Sequence, residues 1–202
     1  MTEPAYRLDL PETEAWPRQG EWTYEDYLRL PDDGNRYEVI RGALYVTPAP
    51  KLKHQFSVSE FSLRLGWFAR ENGLGRVLWA PLDVKLPAGI ASPVQPDVVF
   101  FRTENEPIWE LGYFEGVPDL ILEVLSPRTR SRDRKVKLQA YQDAGVPEYW
   151  MADPSSREVV VHVLQNGRYV EHCRGGVGER VRSAVLPGFE VEVAGLFPRR
   201  RE

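Results

Sequence analysis

Apolar and polar positions alternate in short runs along most of the 202-residue chain and switch to helical spacing in three places. TYEDYLRL (23–30) predicts a short helix with Thr23 as its N-cap, and DDGN (32–35) predicts a turn. RYEVIRGALYVT (36–47) predicts two strands bent at Arg41-Gly42, closed off by Pro48 and Pro50. Residues 51–73 predict the first long helix. Leu52, Phe56, Leu63 and Trp67 recur there at spacings of 4, 7 and 4 and are taken as its core stripe, with Asn72-Gly73 as the stop. GRVLWAPLDVKL (75–86) reads as a strand interrupted at Pro81, and 86–95 reads as a loop. PDVVFF (96–101) is a buried strand, 102–117 a polar connection with one short helix, and PDLILEVLS (118–126) the most apolar strand. A second long helix covers 131–145, with Val136, Ala140 and Ala144 as its core stripe and Gly145 as its stop. PEYWMAD (147–153) is a strand and 157–173 a hairpin with Asn166-Gly167 at its tip. Two short strands, about 180–186 and 188–193, end the pattern.

That order of elements predicts an α/β (α+β) fold with a mixed sheet flanked by helices. No repeat and no linker divides it. The expected organisation is an irregular arm at 1–22, carrying Pro4, Pro11 and Pro17, followed by a single domain at 23–202 in which 155–202 forms a β-rich, C-terminal hairpin extension.

Composition narrows the picture. Hydrophobic residues make up 42% and charged residues 28%, enough for a core and too little charge for wholesale disorder. One cysteine, Cys173, excludes an internal disulfide framework and a cysteine-rich zinc site. No apolar run reaches the roughly 18 residues of a membrane helix, so a soluble, cytoplasmic protein without a membrane partner is expected. The net charge of −4 argues against a generally basic nucleic-acid binder. The charge is uneven, however: residues 1–35 hold nine acids and three arginines, whereas RTRSRDRKVK (128–137) holds six Lys/Arg and one Asp. Such a patch either attracts phosphate or is a solvated helix face.

Three acids stand in apolar strand surroundings, where a carboxylate is costly to bury: Glu38 in YEVI, Asp97 at the mouth of PDVVFF, and Glu123 in LILEVL. Strand alternation turns Leu120, Leu122 and Val124 one way and Ile121, Glu123 and Leu125 the other. One such acid alone is as well explained by a surface strand end; three together point to a partner, a metal or a function. Carboxylates beside an amine suit a hard cation that binds and polarises a phosphoryl oxygen. On the second helix Asp133, Lys137 and Tyr141 share one stripe, which is either that amine's setting or a surface ion pair. His54, early on the first helix, is a secondary candidate. His162, His172 and Cys173 do not match a zinc spacing, and Gly175, Gly176 and Gly178 do not open a helix as a phosphate loop would. Tyr149, Trp150, Trp67, Trp79 and Trp109 are read as core or interface aromatics rather than base-stacking platforms.

Glu38, Pro96-Asp97, PDLILEVLSPRTRSRD, Lys137 and YQDAGVPEYWMADP together resemble the Uma2 family of restriction-endonuclease-like proteins, within the PD-(D/E)XK nuclease superfamily. The likeness runs from about Tyr24 to LPGFEVEVAGLF, and YEVIRGALY and His54 also fit the family's N-terminal part. It implies a restriction-endonuclease-like mixed sheet and a Mg²⁺- (or Mn²⁺-) dependent endonuclease acting on DNA. By the same likeness Asp97 and Glu123 hold the metal, with the Val124 carbonyl as a further ligand, and Glu38 is the superfamily's N-terminal acid. The lysine expected two residues after Glu123 is replaced by Leu125. The resemblance transfers its role to Lys137 on the following helix, with Lys135 as the nearest competitor. Glu38, Asp97, Glu123 and Lys137 are thus the implied catalytic set; Asp133, Lys135, Tyr141 and His54 are secondary. Arg128, Arg130, Arg132 and Arg134 are expected to contact the nucleic-acid backbone.

The same residues leave a second reading open: an inactive nuclease fold serving as a dimeric nucleic-acid-binding or protein-interaction module, favoured by the displaced lysine and the negative net charge. Either reading expects a homodimer, with the apolar C-terminal strands as its interface. A small-molecule binder built on the C-terminal half has no polar constellation behind it.

Overall fold

The computed structural model describes residues 15–127 and 129–199. Residues 1–14 of the expected arm and Arg128 therefore lie outside the described residues. Helix α1 (Tyr24–Tyr27) is capped as the sequence predicts: the Thr23 side chain accepts from the Asp26 N–H, and Asp26 accepts in turn from the Thr23 N–H. Strands β1 (Arg36–Ile40) and β2 (Ala43–Thr47) form the expected hairpin, and Arg41 and Gly42 take the positive φ values of 52° and 70° that its two-residue turn requires.

Helix α2 (Leu52–Glu71) has the predicted extent but the opposite orientation. Val58, Phe61, Leu65 and Ala69 face the sheet, while Leu52, Phe56, Leu63 and Trp67, expected in the core, are exposed. Both sets have helical spacing. The buried set wins because it meets Phe100, Leu122 and Trp150 on the sheet's near face.

Strands β3 (Gly75–Trp79) and β4 (Val84–Leu86) part at Pro81 and join different sheets. The segment expected as a loop at 86–95 instead supplies β5 (Ala91–Val94), which lies between β1 and β4. Strand β6 (Val98–Arg102) follows, then two single 3-10 turns, β7 (Phe114–Glu115) and β8 (Leu120–Val124). The second long helix is not uniform. Helix α3 (Arg130–Arg132) runs into one π-helical turn (Asp133–Lys137) and then α4 (Leu138–Ala144). Strand β9 (Glu148–Asp153), the hairpin β10 (Glu158–Gln165) and β11 (Arg168–Gly175), and β12 (Arg180–Arg182) with β13 (Glu190–Glu192) complete the chain.

Among the described residues the strands form a six-stranded sheet in the order β11-β10-β9-β8-β6-β3, a five-stranded sheet in the order β2-β1-β5-β4-β7, and the β12-β13 pair. Strands β8 and β9 are parallel, with the 130–144 helices as their crossover, whereas β6 runs antiparallel to β8. The six-stranded sheet is covered on both faces. Alternation sends Leu120, Leu122 and Val124 to the α2 side and Ile121 and Leu125 to the side of α4 and the five-stranded sheet. No helix among the described residues is long and apolar enough to cross a membrane.

Candidate nuclease site

The site lies where the two large sheets and the 130–144 helices meet. Glu123 shares a parity with Ile121 and so points away from α2 into this seam. The β6–β8 register, Val98 opposite Leu122, places Asp97 opposite Glu123 when extended by one residue. The Asp97 carboxylate closes that step by accepting from the Val124 N–H at 2.9 Å through Oδ2. Glu38 enters from the middle of β1, where its Oε1 accepts from the Gln95 N–H at 2.9 Å. All three acids, expected to be buried, are so, at 2–3% exposure.

Lys137 joins them from the π-helical turn. Its Nζ donates to Glu38 Oε1 at 2.7 Å and to Glu123 Oε1 at 2.8 Å, and the residue is 2% exposed. The widened turn presents Asp133 and Lys137 together on the buried face, so their relation is not a surface ion pair. Single π turns recur at functional sites because they re-aim side chains without ending a helix. One turn further on, the Tyr141 hydroxyl donates to Glu123 Oε1 at 2.7 Å. Lys135, the other candidate amine, is exposed.

Arg132 is turned inward. It reaches Glu38 Oε2 at 3.2 Å and Thr47 Oγ1 at 2.9 Å, and its side chain is 12% exposed, so it stands inside the site. Arg130 and Arg134 stay at the surface, where both pair with Asp153. His54, in the first turn of α2, sits with Nε2 3.0 Å from Asp97 Oδ2. Two participants were missed. Arg36 Nη1 lies 2.8 Å from Asp97 Oδ1, and Gln95 supplies the N–H on Glu38. Each stands two residues before an acid on an extended segment, a period that could have flagged them. These groups line a cleft of about 1020 Å³, together with Lys51, Leu52 and Ser126.

The charges are unequally compensated. Burial raises the Glu38 carboxyl, but Lys137, Arg132 and the Gln95 N–H outweigh it and leave it below its ordinary value. Burial likewise works against Asp97, and the His54 contact and Arg36 hold it well below the usual carboxylate range. Glu123 goes the other way. Burial dominates, Lys137 only partly offsets it, and Asp97, Asp133 and Glu38 add repulsion, so it is pushed up to about 8. The contrast follows from one ammonium serving two glutamates, of which Glu38 alone also has an arginine, Arg132, in direct contact. Lys137, despite burial, is held protonated by Glu123, Glu38 and Asp133. Burial and like charge also raise Asp133, whose Oδ1 is buried with no hydrogen-bond partner.

Every carboxylate here offers oxygen, the donor a hard cation prefers, and an under-compensated glutamate beside an orphaned carboxylate oxygen is what such a cation relieves. Among the described residues no group of three His, Cys, Asp or Glu side chains is arranged to hold an ion unaided. A hard cation held here would take one or two of these carboxylates and keep several of its waters.

Residues 24–194 match the family described as "Uma2: Putative restriction endonuclease". No curated protein matches the chain. Among solved structures, the crystal structure of "a putative nuclease belonging to DUF820" from Anabaena variabilis ATCC 29413 superposes with a TM-score of 0.72 at 22% identity, covering 87% of this chain and 97% of that one. At that identity the likeness is one of fold.

Proposed function

This chain belongs to the Uma2 family of restriction-endonuclease-like proteins, and from that premise we propose that its cleft hydrolyses phosphodiester bonds in DNA with the help of Mg²⁺ or Mn²⁺. The observation that carries this reading is the meeting of one buried ammonium, Lys137, with Glu38 and Glu123 beside Asp97, drawn from four separate segments of the chain.

Asp97 and Glu123 would hold the ion, with the Val124 carbonyl as a further ligand. When bound, the ion polarises the scissile phosphate and lowers the pKa of bound water. The residues do the rest. Lys137 is held protonated, so it serves as a fixed positive charge for the developing phosphate oxyanion rather than as a base. Glu38 and Tyr141 position Lys137 and Glu123 respectively. Arg36 and His54 hold the Asp97 carboxylate in place and would supply donors toward a substrate phosphate beside it. The exposed faces of Arg130 and Arg134 would follow the nucleic-acid backbone.

A binding module without turnover is the second reading, and one observation favours it: both Asp97 oxygens are already engaged, by Arg36, His54 and the Val124 N–H. The test is incubation of the purified chain with plasmid and single-stranded DNA under Mg²⁺ or Mn²⁺, with calorimetric metal titration alongside. Hydrolysis should be lost by at least about 100-fold in Asp97→Asn and Glu123→Gln, with weakened metal binding and retained circular dichroism. DNA binding without cleavage under either ion would leave the second reading standing and end the first.

A further inference from the structure

Helix α2 carries two apolar faces, and only one is used within the chain. Val58, Phe61, Leu65 and Ala69 pack on the six-stranded sheet. On the other side Leu52, Leu63 and Trp67 are 89%, 67% and 69% exposed, and Phe56 is 39% exposed. At 3.6 residues per turn these four fall within roughly 60° of one another. Ser59 lies at the edge of this strip and is small enough to admit a close neighbour, whereas Gly66 faces Val77 within the chain. A helix apolar on both sides is expected to bury both, and a continuous bare strip of this kind marks an interaction surface.

The spacing of the strip identifies the occupant. The intervals 4, 7 and 4 read the same from either end of the helix. A two-fold axis between Ser59 and Glu60 therefore sets Leu52 opposite the partner's Trp67 and Phe56 opposite the partner's Leu63, so that apolar positions meet apolar positions across an isologous contact. The antiparallel sense opposes the two helix dipoles.

We infer that α2 is the self-association surface of this protein: two copies pair antiparallel along α2, with Leu52 against the partner's Trp67 and Phe56 against the partner's Leu63. This relocates the expected homodimer contact from the C-terminal strands to α2. It also gives the cleft a wall from the second copy, because Leu52 lies at the cleft rim and the partner's Trp67 would cover it. The two His54 backbones would stand roughly 20 Å apart, from the helix rise and a usual interhelical distance.

Sedimentation velocity at about 50 µM tests the pairing. The wild-type chain should run at twice its 23.2 kDa mass. Leu63→Glu and Trp67→Glu should each weaken association 100-fold or more with unchanged circular dichroism, since both side chains are exposed. In a Cys173→Ser background, Phe56→Cys with Leu63→Cys should oxidise to a covalent dimer, while either cysteine alone should not. The inference is overturned by a monomeric wild type, by a dimer indifferent to both glutamates, or by single cysteines that cross-link as well as the pair. It is overturned equally if removal of residues 1–14 is needed before dimers form, which would make that segment the cover. None of these readouts involves cleavage, so the pairing stands or falls apart from the proposed chemistry.

Discussion

At the scale of single residues, the site is governed by a shortage of positive charge around Glu123. Glu38 has Lys137, Arg132 and a backbone N–H, whereas Glu123 shares the same ammonium with only the Tyr141 hydroxyl added. A folded-state value of about 8, above the ordinary glutamate range, means that the folded protein holds this proton more tightly than the unfolded chain. Its contribution to stability is therefore complete below the unfolded value near 4.5 and is lost as pH rises through about 8. Glu123→Gln removes that dependence while keeping an acceptor for Tyr141 and Lys137. In the absence of divalent metal, the variant should gain on wild type as pH rises from 5 to 8, becoming about 1–2 kcal/mol the more stable at the upper end. Paired denaturant titrations at several pH values in EDTA measure this. Parallel curves for the two proteins would show that Glu123 ionises without cost. Added Mg²⁺ should narrow the gap, because it restores the missing charge to wild type alone.

At the scale of elements, local chemistry and long-range pairing were unequally legible. The Thr23 cap, the Arg41-Gly42 and Asn166-Gly167 turns and the parity of β8 are written in neighbouring residues, and each stands where the pattern put it. Helix α2 was found at its predicted place but turned over, because Val58, Phe61, Leu65 and Ala69 have as good a helical spacing as the exposed set, and two buried serines dilute the buried face. Strand β5 was hidden by Pro93; it pairs with β1 only at Ile40–Ala91 and with β4 in an irregular register, so the missing N–H is tolerated. The acids and Lys137 were legible as polar positions on apolar stripes. Arg36 and Gln95 carried only the weaker signal of standing two residues before an acid, since their partners come from strands far away in sequence. Another such partnership is Glu148 on β9. Its carboxylate accepts from Trp150 Nε1 and Ser183 Oγ, each at 2.6 Å, and from the Ala184 and Val185 N–H groups at 2.6 and 3.0 Å. This fully bonded carboxylate latches the segment before β13 to the central sheet. Glu148→Ala leaves four donors short and should cost about 3–5 kcal/mol. Hydrogen exchange should accelerate first at the Ala184 and Val185 amides, and an unchanged rate there would remove the latch.

At the scale of the whole molecule, a net charge of −4 has to coexist with attraction to a polyanion if the cleft works on DNA. The basic 128–137 segment offers less free charge than its composition suggests. Lys137 and Arg132 are spent inside on Glu38 and Glu123, and Arg130 and Arg134 share Asp153. What remains outward among the described residues of the segment is exposed Lys135 and the half-exposed guanidinium groups of Arg130 and Arg134. Two kinds of arginine variant should therefore separate cleanly. Arg130→Gln and Arg134→Gln should each weaken DNA binding and lower the slope of log K against log salt by about 0.9, leaving stability within about 0.5 kcal/mol of wild type. Arg132→Gln should instead destabilise the fold by about 2–3 kcal/mol, because it strips a cation from buried Glu38. It should leave the salt slope unchanged, because its guanidinium never releases a counterion. Fluorescence anisotropy titrations of a short duplex between about 50 and 200 mM salt, run beside denaturant curves, distinguish the two classes. A salt slope that drops for Arg132→Gln as much as for its neighbours would mean that its side chain leaves Glu38 for the phosphate when DNA binds. The inward geometry would then describe only the unbound protein.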